Sequence, residues 1–482
     1  MKSAFSQRAP RSATAAVLAL VLVTSIVAFG GRSFGATAEA SSSSNRVRFS
    51  APIALPASSD TGATSKTCYN PCGEPSLIQA PDGTIYVSTP RTLLVCCNNV
   101  ASPVWRSDDL GAHWTNPIFP TTGVKDDGAT SGGDTEMAVD KRGTLFEGDL
   151  WLGNDSIYIT EDKGKTWTWS PASHDAASDR EWLVYNPTDD ALYGWYDGLK
   201  AGLEVIRAPL DTTAGNKTAL LAPQETVAVP AGHGCVDGCP DEVNGVPILY
   251  DTESPGVPSV GPDGTVYFPF GYQVAGKGIG IAETTDGQNF TYRYVKGAGH
   301  GHAGDVDSDF PVSAVDKAGH LYVAWSEKKK SANNSEFTIY FAESSDKGKT
   351  WTHPLPVSSA VSKTAIFPTI AAGDNGRVAI GWYGTTQKGN PNKMGKHVSW
   401  DVYIATTDNA AAKSARFQLS NVDRDFHTGA ICTGGLGCPG DSRKLLDFFM
   451  VGIDNKNGGA MAVYTRDFGD GGTEIAFVHQ RV

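Results

Sequence analysis

Apolar stretches of strand length recur along this chain, separated by Gly-containing turns and polar residues. One unit returns: an apolar strand, a turn with glycine, then a second strand rich in aromatic and β-branched residues. It reads first as Glu74-Pro-Ser-Leu-Ile-Gln-Ala-Pro-Asp-Gly-Thr-Ile-Tyr-Val-Ser88. Further copies run from Thr135 to Asp149, with a turn ending at Gly143, and from Glu181 to Tyr196. Others run from Val257 to Phe270, Phe310 to Trp325, Phe367 to Trp382 and Phe448 to Tyr464. Seven strand–turn–strand copies predict an all-β chain built by repetition, with the strand pairs as the outset of successive antiparallel sheets.

A third strand follows each copy, and usually after it a second motif of the form Ser/Thr-x-Asp-x-Gly-x-x-Trp. Complete instances are Ser107, Asp109, Gly111, Trp114; Thr160, Asp162, Gly164, Trp167; and Ser344, Asp346, Gly348, Trp351. A form one residue shorter has Thr284, Asp286, Gly287 and Phe290, and a decayed one starts at Thr406 and Asp408. The pattern suits a hairpin turn. The Asp accepts backbone N–H groups, the Gly supplies a positive φ, and the aromatic ring packs between sheets.

These turns resemble the Asp boxes (BNR repeats) of the sialidase-like β-propeller superfamily, and the likeness extends over nearly all of the chain after its first forty residues. The resemblance implies an all-β, seven-bladed β-propeller in which the boxes are structural and carry no chemistry. Six blades is the alternative, if one unit is an insertion; the sialidases themselves have six. The last unit is one strand short. Arg46-Val-Arg-Phe-Ser-Ala-Pro-Ile-Ala-Leu-Pro-Ala57 is similar to the fourth strand of the fifth unit, Trp351–Ser358, and is expected to complete the last blade. Radial closure of this kind removes exposed sheet edges.

The N-terminal forty residues change the compartment. Lys2, Arg8 and Arg11 precede an apolar run from Ala13 to Phe29, and small-residue cleavage sites follow at Ala36-Thr37-Ala38 and Ala38-Glu39-Ala40. This is the order of a secretory signal peptide, residues 1–40, ahead of a single domain over 41–482; an uncleaved membrane anchor is the alternative. A secreted or extracellular protein is expected, with surface retention open and no later segment apolar enough to span a bilayer. Of 40 basic and 52 acidic residues, the first forty hold four and one, which leaves 36 against 51 and a formal charge of −15. Such a surface repels phosphate backbones and excludes nucleic acid as a partner class. A monomer is expected. The eight cysteines, Cys68, Cys72, Cys96, Cys97, Cys235, Cys239, Cys432 and Cys438, suit disulfides in an exported chain. Local pairs Cys235–Cys239 and Cys432–Cys438 and a two-bridge knot among the first four are the expected pattern; thiolate zinc binding is the competing one.

Strand order sorts the loops onto two faces. First turns and Asp boxes share one face and are short. The long loops, Pro117–Asp134, Leu221–Ser254, Lys296–Ser308, Gly384–Ser399 and Asn421–Leu446, share the other, where binding residues are expected. Near the start of the innermost strands an acidic residue recurs: Glu74, Asp134 or Glu136, Glu181, Glu253, Asp307 or Asp309, and Asp447. Innermost strands would line a central channel, so these carboxylates could ring its mouth and hold sugar hydroxyls, a divalent cation or a cationic group, or form a merely solvated rim. Arg180 and Arg443 sit among them, either to clamp a ligand carboxylate or to neutralise their acidic neighbours. His300, His302, Asp305, Asp307 and Asp309 form a Gly-containing loop suited to a metal. The acids favour a divalent cation such as calcium, the histidines a transition metal.

The resemblance implies a test of sialidase chemistry, which in that family uses three arginines, a Tyr–Glu nucleophile pair and an Asp. The family's first arginine opens an Arg-Ile-Pro stretch. Here the matching stretch is Gly73-Glu74-Pro75-Ser76-Leu77, so Gly73 stands in place of the arginine and Glu74 would repel a sialic acid carboxylate. Arg91, Arg180 and Arg443 offer charge from other units without marking a triad, and Tyr196, Tyr272 and Tyr383 end second strands as packing residues do. Exo-sialidase activity is therefore not expected. Three readings stay open: recognition of an extracellular ligand, carbohydrate first; a glycoside hydrolase using two rim carboxylates; and a scaffold for a protein partner or the cell envelope.

Overall fold

A computed structural model describes residues 47–56, 73–90, 101–120, 132–151, 154–172, 178–198, 202–212, 218–231, 242–248, 255–271, 278–298, 310–329, 336–374, 376–434, 438, 442–467, 469 and 472–482, all within the unit Thr37–Val482. Short Gly- and Asp-bearing turns leave each strand no route but back along its predecessor, so the repeats fold as antiparallel meanders. The first sheet has Ser76–Gln79, Ile85–Ser88 and Val104–Ser107, with Ile118 bridging Val104 at its outer edge. The second has Thr135–Val139, Leu145–Trp151, Asn154–Thr160 and Thr168–Ala172 in that spatial order. The third has Ser178–Asn186, Ala191–Gly198, Gly202–Asp211 and Gln224–Pro230, and the fourth Ser259–Val260, Val266–Gly271, Ile279–Thr284 and Thr291–Tyr294. The fifth has Val312–Val315, Leu321–Lys329, Glu336–Ser344 and Leu355–Pro356. The sixth has Thr364–Ala372, Val378–Thr385, Ser399–Thr407 and Gln418–Thr428; a parallel bridge, Phe337 to Thr364, joins it to the fifth.

The last sheet takes its strands from both sides of the sequence. Met450–Ile453, Ala460–Asp467 and Thr473–Arg481 come in order, and Arg48–Phe49 and Ile53–Ala54 then pair with Thr473–Arg481, with Arg48 opposite Arg481 and Ile53 opposite Phe477. The expected strand Arg46–Ala57 is thus present as two short pieces around Ser50–Pro52.

The first strand of each sheet packs against the first strand of the next, and Met450–Ile453 packs against Ser76–Gln79, so the inner strands form a cycle. This is the radial arrangement of a β-propeller, all-β, with two 3-10 turns and no α-helix among the described residues. No helix there is long and apolar enough to cross a membrane. The core lies between sheets. Second strands carry its largest members, including Tyr86, Tyr193, Trp195, Tyr267, Tyr322, Trp325, Trp382 and Tyr383, each at most 2% exposed.

The Asp-bearing turns share one geometry. The hydroxyls of Ser107, Thr160, Thr284 and Ser344 donate to Asp109, Asp162, Asp286 and Asp346 at 2.9–3.0 Å. The same hydroxyls accept the N–H groups of Gly111, Gly164, Gly287 and Gly348 at 2.7–3.0 Å. Each Asp in turn accepts the N–H of the residue at the far side of the turn: His113, Thr166, Asn289 and Thr350, all at 2.8 Å. These bonds hold Asp109, Asp162, Asp286 and Asp346 below the usual carboxylate range. In the longer form the residue before the glycine is also left-handed: Leu110, Lys163 and Lys347 have φ of 56°, 61° and 59°.

The sixth sheet corrects the sequence reading. Thr407, one residue past the expected Thr406, donates to Asn409, one past Asp408, at 2.6 Å, and Asn409 N–H returns to the Thr407 hydroxyl. An amide replaces the carboxylate, and the aromatic position falls to Phe417, which meets Phe341 of the preceding sheet edge-on at 5.2 Å.

Asp346→Ala deletes three acceptor roles at once: to Ser344, to Thr350 N–H and to the Thr350 hydroxyl. The expected cost is about 1–2 kcal/mol, because these groups are exposed and water replaces part of the bonding. Urea unfolding should show a lower midpoint at an unchanged slope.

Candidate functional site

Inner strands begin on the long-loop face, and several begin with a backbone kink. Glu74, Arg180, Phe367 and Leu446 have φ of 46°, 58°, 55° and 58°, values that side chains seldom adopt. At Arg180 and Phe367 the kink is a bulge: the register slips between Asp179 and Trp182, and between Ile366 and Thr369. A bulge re-aims the side chain it carries, and strain of this kind collects at sites where direction matters. Gly73 has its own reason. Its φ is 121°, and a Cβ there would lie 2.8 Å from the Leu445 carbonyl oxygen, so no arginine fits.

The kinks bring charged groups from four sheets together. One terminal nitrogen of Arg180, in the third sheet, donates to Glu74 of the first at 2.9 Å and to Asp134, ahead of the second, at 2.5 Å. The other carboxylate oxygen of Glu74 accepts the N–H of Asp447, ahead of the last sheet, at 2.9 Å. Asp447 receives Arg443 at 2.6 Å. Arg180 and Arg443 thus neutralise acidic neighbours. Glu74 is fully buried, Arg180 6% exposed and Asp134 8% exposed, whereas the Arg443 and Asp447 side chains keep 15% each.

The centre beneath is filled. Arg180 lies over the rings of Phe448, Trp182 and Phe310 at 4.8, 5.4 and 5.4 Å, and Trp182 packs on Phe448 at 4.9 Å. The gap among these rings and Phe367 amounts to about 10 Å³, the space of one water. Aromatic rings thus pack the space beneath Arg180, and a guanidinium can face them without losing its charge stabilisation. Glu74 faces Arg180 in the cluster, and its expected place on a rim does not hold.

Electrostatics divide the cluster. Burial opposes the charge on Arg180, but Asp134, Glu74, Asp179 and Glu181 hold it well above the usual arginine value. Burial pushes Glu74 well above the carboxylate range, against the pull of Arg180. Glu136 accepts the Ser76 hydroxyl at 2.6 Å and the Met137 N–H at 3.0 Å, and burial raises it to about 7. Glu181 is 5% exposed.

Further acids lie below, in strands where sequence reasoning did not seek them. Glu147 and Asp149 are fully buried in the second sheet, and Asp149 accepts the N–H groups of Ser102 and Gly132 at 2.6 Å each. Burial and the neighbouring Asp149 push Glu147 well up. In the third sheet Asp179 and Asp197 are cross-strand partners; Asp179 is exposed, whereas burial raises Asp197 to about 7, with Asp179 and Glu204 adding to it. The available clue was acids set inside otherwise apolar strands, as in Leu145-Phe-Glu-Gly-Asp-Leu-Trp151.

Glu253, Asp307, Asp309, His300, His302 and Asp305 lie outside the described residues, as do Arg91, Tyr272, Cys68, Cys72, Cys96, Cys97, Cys235 and Cys239. Among the described residues no three His, Cys, Asp or Glu side chains converge to hold a metal. Cys432 and Cys438 form a disulfide on the long-loop face. Tyr196 and Tyr383 are core residues, Tyr196 bonded to Glu225 and Tyr383 stacked on Phe449 at 4.5 Å.

The chain matches no protein-family profile and no curated protein sequence. Solved structures of similar course include the α-L-arabinofuranosidase Arb93A from Fusarium graminearum, at 12% identity, covering 89% of this chain and 97% of that one, with a TM-score of 0.46. A protein of unknown function from Dyadobacter fermentans has 14% identity, covering 90% and 99%, with a TM-score of 0.45. The phage phi92 endosialidase has 11% identity, covering 91% and 69%, with a TM-score of 0.47. Likenesses this distant leave substrate and chemistry to the chain's own residues.

Two outcomes follow from the buried charges. Arg180→Met leaves Glu74 and Asp134 without their cation and should cost about 3–5 kcal/mol in urea unfolding, with partial recovery on adding Glu74→Gln. Glu136, raised from 4.5 to about 7, keeps in the folded chain a proton that the unfolded chain releases. Its contribution is full below about pH 4.5 and declines as pH rises through 7, by on the order of 3 kcal/mol. Glu136→Gln keeps both bonds and should flatten the stability–pH curve across that window relative to the parent.

Proposed function

We propose that this chain is a secreted, seven-bladed Asp-box propeller whose long-loop face recognises an extracellular carbohydrate, with Arg443 and Asp447 as direct contacts. The observation that carries the reading is the cluster Glu74–Arg180–Asp134 with Arg443–Asp447, assembled from four sheets. Its deep members are locked by one another and by the aromatic rings, so the two partly exposed members, Arg443 and Asp447, are held in fixed directions. Planar charged groups fixed before binding suit sugar hydroxyls, which donate and accept at set angles, and fixing them in advance lowers the entropy cost of binding. The seven-blade count is supported by the cycle of inner strands and by Arg48–Ala54 completing the last sheet. Export is supported by the basic, apolar and small-residue order of residues 1–40 and by the Cys432–Cys438 disulfide.

A glycoside hydrolase is the second reading, favoured by Asp197 and Glu136 at about 7, the range of a carboxylic acid able to donate a proton at neutral pH. Of the two, Asp197 is the better placed, because Glu136 is engaged by Ser76 and Met137.

One experiment separates them. The mature protein is incubated with a broad glycan panel, sialosides included, and both retention and product release are followed over time. Recognition predicts retention of a defined glycan, with affinity about tenfold weaker in Arg443→Gln at an unchanged melting temperature. Release of a defined sugar that Asp197→Asn abolishes would replace recognition with hydrolysis. Neither retention nor release from any glycan would sink both.

A further inference from the structure

Residues 386–398 join the second and third strands of the sixth sheet as one of the long loops, and hydrogen bonds tie the loop down from several sides. The Thr364 hydroxyl, at the start of the sheet's first strand, donates to the Gln387 carbonyl at 2.8 Å. Asn390 caps the 3-10 turn Pro391–Lys393 by accepting the Asn392 N–H at 2.9 Å. From the segment after the fourth strand, Gly429 N–H donates to the Val398 carbonyl at 2.8 Å and Ile431 N–H to the Pro391 carbonyl at 3.1 Å. Thr433 N–H reaches the Asn392 side-chain oxygen at 2.7 Å. Met394 packs into the apolar core shared by the sixth and last sheets. The bonds continue inward. Cys432, closed on Cys438 by the disulfide, donates its N–H to the Ser442 carbonyl at 2.9 Å, and Ser442 precedes Arg443. The loop is thereby linked, through Ile431 and Cys432, to the segment that carries Arg443 and Asp447.

What this loop exposes is cationic. From Thr386 to Trp400 the sequence holds Lys388, Lys393, Lys396 and His397 and no Asp or Glu, in a chain of 40 basic and 52 acidic residues. Lys388 pairs with Glu336. Asp425, the exposed acid on the neighbouring fourth strand, accepts the Ser399 hydroxyl. Lys393 and Lys396 are exposed and have no carboxylate within ion-pair distance among the described residues. On the opposite face, by contrast, Lys163 of one Asp-bearing turn reaches Asp82 of the sheet before it at 2.8 Å, and Lys347 of another reaches Asp263. Two ammonium groups three residues apart are thus left unneutralised on a backbone that is fixed relative to Arg443. On an acidic protein such a patch attracts anions and sets where they settle.

We propose that Lys393 and Lys396 extend the long-loop face into a subsite for acidic glycans. The carbohydrate contacted by Arg443 and Asp447 carries carboxylate or sulfate groups, and these settle on the two ammonium groups. The inference rests on the carbohydrate reading of that face and names the class of sugar it takes. A glycan bearing acids at regular intervals can meet Arg443 and the two lysines together, whereas a single small anion meets one of them.

Titration calorimetry of the full mature chain with polygalacturonate, carrageenan and neutral galactan tests the assignment, with poly-L-glutamate as a polyanion that is not a sugar. Polygalacturonate or carrageenan, or both, should bind, and galactan and polyglutamate at least about tenfold more weakly. Binding of polygalacturonate alone assigns a carboxylate, of carrageenan alone a sulfate, and of both the anionic charge they share. Lys393→Gln combined with Lys396→Gln should weaken the acidic glycan about tenfold at low ionic strength, and less in high salt, where the charges are screened. The melting temperature should not move, since both side chains are exposed. Lys413→Gln, which removes a like charge from the exposed Asp-box side of the same sheet, should leave affinity unchanged. Galactan or polyglutamate bound as tightly as the acidic glycans, or affinity indifferent to the paired lysine substitutions, would overturn the proposal. Retention of a neutral glycan with neither acidic one bound would overturn it and leave the carbohydrate reading standing. Binding of no glycan would sink both.

Discussion

The architecture depends on the pairing of Arg48–Phe49 and Ile53–Ala54 with Thr473–Arg481. A row of antiparallel sheets that did not close would leave backbone N–H and C=O groups unpaired at its edges and the flanks of its terminal sheets in water. Closure through two segments far apart in sequence supplies the missing outer strand and brings Met450–Ile453 against Ser76–Gln79. Ser50 and His479 add a backbone bond at 2.8 Å to this seam.

The long-loop end is organised by a different force. Strand starts from several sheets crowd together there, and Trp182, Phe310, Phe367 and Phe448 leave only a small gap among their rings. Arg180 is tolerated above those rings because aromatic faces stabilise a cation and because Glu74 and Asp134 pair with it. Left-handed backbone at Glu74, Arg180 and Leu446 is the local strain that lets these side chains reach one another. The result is a charged base held by paired groups, while Asp197, in the third sheet, is raised by burial to about 7.

Much of this was legible in the residues, for physical reasons that are local. A Ser or Thr hydroxyl, an Asp two residues on and a Gly one or two beyond that close a turn by themselves, so Asp109, Asp162, Asp286 and Asp346 could be placed without knowledge of any partner. The decayed copy misled because Asn409 performs the same bonding as Asp and stands one residue later than the pattern suggests. Cys432 and Cys438, close in sequence, were likewise readable as a pair.

The sequence by itself determined the repeating strand–turn–strand unit, the Asp-bearing turns, the use of an N-terminal strand in the last sheet and the division of loops between two faces. All of these follow from side-chain periodicity and turn chemistry, which act over a few residues. Tertiary structure alone decided which acids meet which arginines, that Glu74 is buried and Asp447 partly exposed, that aromatic rings pack beneath Arg180, and that Glu147 and Asp197 lie where burial raises them. These outcomes depend on distances between strands hundreds of residues apart and on the dielectric each carboxylate experiences, and neither is encoded in local pattern.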